Sequence, residues 1–160
     1  MNFDEKNIVK VNHMNYMAAI YLIRSTMEES EVNKAEAETD FRCGDPAWKR
    51  FLYKDGDMYV GLVGLYMENK TNGWLSYFAV HPDYQGLGLG RWLMGWIEGK
   101  AKEWGVKRIF IETYDTEVYE RAVQLYEKLG FSQSGYLDGF YEEKKILYFK
   151  KDLQSESISV

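Results

Sequence analysis

The spacing of apolar and polar positions changes period several times along the chain. Ile8 to Val11 reads as a short first strand. Over Met14 to about Glu28, the residues Met17, Ile20, Tyr21, Arg24 and Met27 fall on one side of a 3.6-residue repeat, which predicts a helix. A weaker helical pattern runs from Val32 to about Arg42. From Phe51 the period becomes two. Phe51-Leu52-Tyr53, the turn Asp55-Gly56-Asp57 and the run Met58 to Met67 predict a hairpin, and Trp74 to Val80 adds a strand after Thr71-Asn72-Gly73. Turns this short leave no room for a crossover helix, so these three strands are expected to be antiparallel.

The helical period then returns. Leu89, Trp92, Leu93, Trp96, Ile97, Ala101 and Trp104 follow an i, i+3, i+4, i+7 pattern that Gly105 ends. Val106 to Thr113 is the next strand, and a strand, helix, strand succession of this length predicts a right-handed parallel crossover. A helix from about Glu117 to Leu129 carries Val118, Ala122, Leu125, Tyr126 and Leu129 on one face and stops at Gly130. Phe131 to Tyr136 and Lys145 to Lys150 close the chain as a hairpin. The expected architecture is an α+β, three-layer α/β/α fold. Its mixed sheet is antiparallel in the first half, with one parallel β-α-β crossover and helices on both faces. Sheets of this kind often hold a ligand where the strand order changes. Gly95 and Gly99 inside the crossover helix each cost about 1 kcal/mol relative to alanine, which points to close approach of another backbone.

With 160 residues the chain is expected to form a single domain over 1–153, with residues 154–160 as a disordered tail. Its formal charge is −5, and no block is rich in lysine or arginine, so a polyanionic partner is disfavoured and a cationic small substrate is permitted. Stacking of single-stranded bases on Trp74, Tyr77 and Phe78 is the competing use of the sheet, and the acidic balance argues against it, so no nucleic-acid partner is expected. The acidic group Glu28, Glu29, Glu31, Glu36, Glu38 and Asp40 has two readings, a solvated face and a cation-attracting one. The single cysteine, Cys43, excludes an internal disulfide and lacks the histidine neighbour of an activated nucleophile. His13 and His81 stand far apart with no cysteine cluster, so no metal is expected. The opening residues lack a basic and then apolar signal pattern, and Tyr16 to Ile23 is too short for a bilayer span of about 20 residues, so a cytoplasmic protein with no membrane partner is expected.

The chemistry concentrates at Val80-His81-Pro82-Asp83-Tyr84-Gln85-Gly86-Leu87-Gly88-Leu89-Gly90-Arg91, between a strand and an amphipathic helix. Alternating glycines leave the main chain uncovered, so successive N–H groups can converge on an anion. The following helix adds the positive end of its dipole, and Arg91 a full charge. A nucleotide-triphosphate loop would need Gly-Lys-Ser/Thr, but Gly90 is followed by Arg91 and Trp92. The dinucleotide pattern GxGxxG fails because its third glycine would fall on Arg91 or on Leu93.

The spacing that does fit is Gln-x-x-Gly-x-Gly, on Gln85, Gly88 and Gly90 after Phe78-Ala79-Val80-His81-Pro82. In this the chain resembles the GNAT superfamily of N-acetyltransferases. Ala122-Val123-Gln124-Leu125-Tyr126-Glu127-Lys128-Leu129-Gly130-Phe131 is similar to the end of that family's fourth helix, and the likeness covers roughly Asp55 to Leu153. The resemblance implies direct acetyl transfer from acetyl-CoA, as co-substrate, to a primary amine of a small molecule or peptide, without a metal. A noncatalytic acyl-CoA-binding or sensing domain is the alternative. The pantetheine arm would lie along Phe78, Ala79 and Val80, and the pyrophosphate on Gln85, Gly86, Leu87, Gly88, Leu89, Gly90 and Arg91. Tyr119 stands where the family often has an asparagine contacting CoA. A homodimer is left open by family habit.

An alkyl ammonium of pKa about 10.4 is less than a thousandth neutral at pH 7, a cost of roughly 4.6 kcal/mol, so a base or a water chain leading to one is needed. Glu112 is the first candidate, on the ground that a carboxylate near a sheet centre must be used or paired; an exposed strand glutamate is the other reading. Tyr77, Asp115 and Glu117 stand in reserve. His81 beside Pro82 reads as a turn residue. For the acid that protonates the departing thiol the resemblance implies Tyr126, which as a residue on an apolar stripe also reads as a core tyrosine. Tyr136, Asp138, Phe140, Tyr141, Glu142 and Glu143 could line a pocket for a cationic amine or form an ordinary exposed loop.

Overall fold

Eleven regular elements form in the computed structural model, which describes residues 1–38 and 42–153; Asp40 and the 154–160 tail lie outside the described residues. They are β1 (Ile8–Lys10), α1 (Tyr16–Thr26), α2 (Glu29–Ala37), β2 (Trp48–Asp55), β3 (Met58–Met67), β4 (Asn72–Val80), α3 (Leu89–Glu103), β5 (Arg108–Tyr114), α4 (Glu117–Lys128), β6 (Ser132–Leu137) and β7 (Ile146–Asp152). The sheet is mixed, with strand order β1-β2-β3-β4-β5-β7-β6. As the spacing predicts, β4 and β5 are parallel and α3 connects them. The chain clusters into two compact units, Met1–Tyr66 with Ser76–Ile97, and Met67–Leu75 with the chain from Glu98 onward.

In the first unit, β1 pairs antiparallel with β2 and β2 with β3. Its core gathers Ile20, Leu22 and Ile23 of α1, Val32 and Ala35 of α2, and Leu52, Leu62 and Ala79 of the strands. The face of α1 differs from the expected stripe. Of Met17, Ile20, Tyr21 and Arg24 only Ile20 is buried, while Met17 and Tyr21 are more than half exposed. Ala19, Ile20, Leu22 and Ile23 pack instead, because four short adjacent apolar side chains fit a close helix-to-sheet contact better than long flexible ones. Helix α2 begins at Glu29 rather than Val32, since Glu29 and Glu31 in its first turn complement the positive helix end. Arg24 of α1 pairs with Glu36 of α2.

In the second unit β5 pairs with β7 along its whole length, and β7 with β6, so the second strand of the closing hairpin lies beside β5 and the first takes the edge. Ile109, Ile111, Tyr126, Phe131, Ile146 and Phe149 are buried there. Val118, expected on the apolar face of α4, is exposed at the helix start.

Gly95 and Gly99 of α3 also depart from expectation. Both are exposed, and a Cβ added at either would meet nothing within 4 Å, so among the described residues no backbone packs against them. The double variant Gly95→Ala/Gly99→Ala is therefore expected to gain about 1–2 kcal/mol and melt roughly 2–8 °C higher by calorimetry. An unchanged or lower melting point would show that these positions meet something the packing does not reveal.

Candidate active site

The loop after β4 is built by local tethers. His81 donates its backbone N–H to the Val60 carbonyl at 2.8 Å, and its Nδ1 accepts from the Asp83 amide at 3.1 Å, capping the short turn Pro82–Tyr84. This agrees with its reading as a turn residue. Tyr84 donates its hydroxyl to Asp55 Oδ2 at 2.7 Å, and that bond raises the phenol above its ordinary pKa. Gln85 turns its amide back to donate to the Val80 carbonyl at 3.0 Å. Gly86 and Gly88 follow with φ of +79° and +90°, a region that side chains other than glycine rarely adopt. Trp92 N–H then donates to the Gly88 carbonyl at 3.0 Å, which makes Gly88 the residue from which α3 starts. The amides of Leu89, Gly90 and Arg91 precede any carbonyl that could accept them within the helix. They belong to the positive end of a 15-residue helix. The loop so tethered offers an anion several main-chain donors and the exposed Arg91.

Before this loop, β4 carries a distortion. Tyr77 has φ +62° inside a strand, a left-handed conformation that costs a bulky residue about 1–3 kcal/mol. Beneath it lies Arg50 of β2, only 2% exposed. Its Nε and Nη2 donate to Ser76 Oγ at 3.1 and 2.9 Å, and its Nη1 to Glu38 Oε2 at 3.3 Å. The guanidinium also sits 4.2 Å over the Trp48 ring and 5.1 Å over that of Tyr77. Burial lowers the pKa of Arg50, and the Glu38 carboxylate opposes the shift. Glu36 and Glu38 of the acidic group are thus held by arginines rather than merely solvated.

Residues Phe78, Ala79 and Val80 follow the distortion, with the Ala79 side chain in the core and the other two half-buried. The register between β4 and β5 covers Asn72–Trp74 opposite Arg108–Phe110.

Tyr126 sits near the end of α4, where the backbone itself fixes it. Phe131 N–H donates to the Tyr126 carbonyl at 3.0 Å around Gly130, whose φ is +92°, a helix ending that normally brings the two flanking side chains together. Their rings are 6.1 Å apart, and Phe149 closes on Tyr126 at 6.4 Å. Burial pushes the Tyr126 phenol well above its ordinary range, with a smaller contribution from Tyr119. A phenol so held stays protonated and can donate.

Glu112 is exposed, alternating with buried Ile111 and Thr113, so the argument that burial forces it into use does not hold. It lies opposite Tyr148, whose phenol is raised by burial and then by the Glu112 carboxylate. Asp115 accepts from the Lys145 amide at 2.7 Å and serves a loop tie. Glu117 is exposed at the start of α4, and Tyr119 packs on Tyr114 with centroids 5.5 Å apart. Among the described residues no group of three or more His, Cys, Asp or Glu could hold a metal ion, and no helix is long and apolar enough to cross a membrane.

Residues 17–131 match the Acetyltransferase (GNAT) family, and the chain belongs to that family. It is 35% identical over 94 residues to the spermine/spermidine N(1)-acetyltransferase of Bacillus subtilis, a stretch that takes in 54% of this chain and 60% of the relative's length. Among solved structures the fold is that of the ribosomal-protein-S18-alanine N-acetyltransferase from Escherichia coli, with TM-score 0.75, 19% identity, and 96% of this chain and 97% of that one covered. An aminoglycoside 6'-N-acetyltransferase complexed with coenzyme A shares it at TM-score 0.70 and 18% identity, with 97% of each chain covered.

Proposed function

We propose that this chain transfers an acetyl group from acetyl-CoA to a primary amine of a small molecule or peptide, by direct attack within a ternary complex. The observation that carries this reading is the tethered loop from Gln85 to Arg91, with two glycines in left-handed conformations and leading directly into the first turn of α3. In the proposal these amides and Arg91 hold the pyrophosphate, and the backbone of Phe78, Ala79 and Val80 holds the pantetheine arm. Tyr119 contacts the cofactor from the start of α4. The amine nitrogen bonds to the thioester carbonyl carbon as the carbon–sulfur bond breaks. The Tyr126 hydroxyl donates to the departing sulfur, and the ammonium proton leaves through water toward a carboxylate, for which Glu112, being exposed, is reachable. The negative net charge and the likeness to a Bacillus enzyme named for spermine and spermidine support a small polycation as acceptor.

Calorimetric titration with CoA tests the loop, and thiol release from acetyl-CoA against polyamines, aminoglycosides, amino acids and peptide amines tests the reaction. Saturable heat and release with at least one amine are expected. Gly88→Val, forced into a conformation valine avoids, should bind CoA roughly ten-fold more weakly. Heat without release would leave a CoA-binding module, and the absence of heat would sink the reading.

A further inference from the structure

A lysine ammonium sits among tyrosine rings in the second unit. Lys144 Nζ lies 3.9 Å from the centroid of Tyr114 and 4.9 Å from that of Tyr141. Tyr114 and Tyr141, which flank it, are 5.9 Å apart at 76°, and Tyr119 packs on Tyr114 at 5.5 Å and 50°. Three different elements supply them, the end of β5, the first turn of α4 and the loop between β6 and β7. The negative faces of aromatic rings attract alkylammonium groups, and a cation within about 6 Å of a ring centroid is held by about 0.5–1 kcal/mol at an exposed site, up to about five-fold in affinity. Here the chain's own lysine demonstrates that the cluster takes such a cation.

Several features distinguish this cage from a purely structural contact. Tyr114 is 8% exposed and forms a rigid floor, whereas Tyr141 is 38% exposed and forms an open wall. Phe140, packed edge-on against Tyr141 at 4.9 Å, is 66% exposed, an uncovered large ring on a loop. The backbone beside Lys144 is anchored: the Lys145 amide donates to Asp115 Oδ1 at 2.7 Å, and the Asp115 amide to the Lys145 carbonyl at 3.3 Å. The cage thus keeps its shape while a flexible four-carbon stem can carry the ammonium out. Asp138, Glu142 and Glu143 on the same loop, and Glu117 and Glu120 in the first turn of α4, supply negative charge nearby in the chain. Tyr119 also acts electrostatically on Tyr126, which connects the cage to the proposed proton donor within the same unit.

We infer that Tyr114 and Tyr141, with Tyr119 packed on Tyr114, form a subsite for a second ammonium group of the acceptor, and that Lys144 occupies it until a polyamine displaces it. The inference rests on the acetyltransfer reading for the word acceptor, but not for the cation site itself. An acceptor with two or more ammonium groups gains from the cage, because one group remains charged while another loses its proton to react. A monoamine gains nothing there.

Spermidine and butylamine separate the possibilities, with calorimetric binding of spermidine and KM for both amines measured on the full chain. Lys144→Met removes the internal competitor and should tighten spermidine binding about five-fold, the size of one exposed cation–ring contact, and lower the KM of spermidine relative to butylamine by a similar factor. Lys144→Arg, which keeps a cation in the cage, should not. Tyr141→Leu, a change at the open wall that leaves the buried Tyr114 floor in place, should weaken spermidine about five-fold. Unchanged or weaker spermidine binding in Lys144→Met, with Tyr141→Leu also neutral, would overturn the inference and leave Lys144 as a structural lock. If neither CoA heat nor thiol release is found, the acetyltransfer reading fails, while the spermidine calorimetry still decides the cation site.

Discussion

Arg50→Met is expected to cost about 3–5 kcal/mol and to lower the melting temperature by roughly 6–20 °C. The guanidinium is buried, donates to Ser76 and Glu38, and lies against the rings of Trp48 and Tyr77. Methionine replaces its stem but not its charge, so Glu38, itself only 12% exposed, loses its partner and Ser76 loses two donors. A buried pair adds little over an apolar substitute, but breaking one by removing a single partner leaves an uncompensated charge, which is the expensive event. Arg50→Met combined with Glu38→Leu should therefore recover part of the loss. A melting point within 2 °C of wild type for Arg50→Met alone would mean that water reaches Glu38 freely and that the cluster does not hold Tyr77 in its left-handed conformation.

What could be read from the sequence follows from how local each feature is. The glycine loop was legible because a strand period, three glycines and a helical period stand next to one another, and the structure adds its tethers, among them Gln85 to Val80 and Tyr84 to Asp55. The position of Tyr126 was legible for the same reason, since Gly130 and Phe131 beside it encode the helix ending. Arg50 was not. The expected strand began at Phe51, whereas β2 begins at Trp48, and only with that earlier start does Arg50 share the inward parity of Leu52. A charge on the buried side of an alternating strand was the available signal. For Glu112 the strand was legible but not its parity: between Ile111 and Thr113 it faces outward, so burial is not what argues for it. The rings of Tyr114, Tyr119 and Tyr141 come together from separate elements, and no periodicity encodes such a meeting.

Tyr126→Phe is expected to lower kcat by roughly 10 to 100-fold, about 1.4–2.8 kcal/mol of transition-state stabilisation, with little change in CoA affinity. The magnitude follows from two pKa values. A thiol of about 8.5 leaves as a fairly stable anion, and a phenol raised by burial is a weaker acid than the thiol itself, so complete proton transfer runs uphill. What the hydroxyl offers is a hydrogen bond to the sulfur as charge develops, worth less than full acid catalysis but realised mainly in the transition state. Phenylalanine keeps the packing on Phe131 and Phe149, which separates this effect from misfolding. The raised pKa also fixes the pH behaviour. Tyr126 stays protonated in the folded chain while an unfolded tyrosine ionises near its ordinary value of about 10, so its contribution to stability is unaffected below that pH and declines as pH rises beyond it. Up to that pH the phenol remains a donor, and any alkaline loss of kcat between neutrality and pH 10 belongs to another group and should persist in Tyr126→Phe. Turnover equal to wild type in this variant would return Tyr126 to the core, whereas an alkaline limb that disappears with the hydroxyl would make Tyr126 the titrating group and contradict its upward shift.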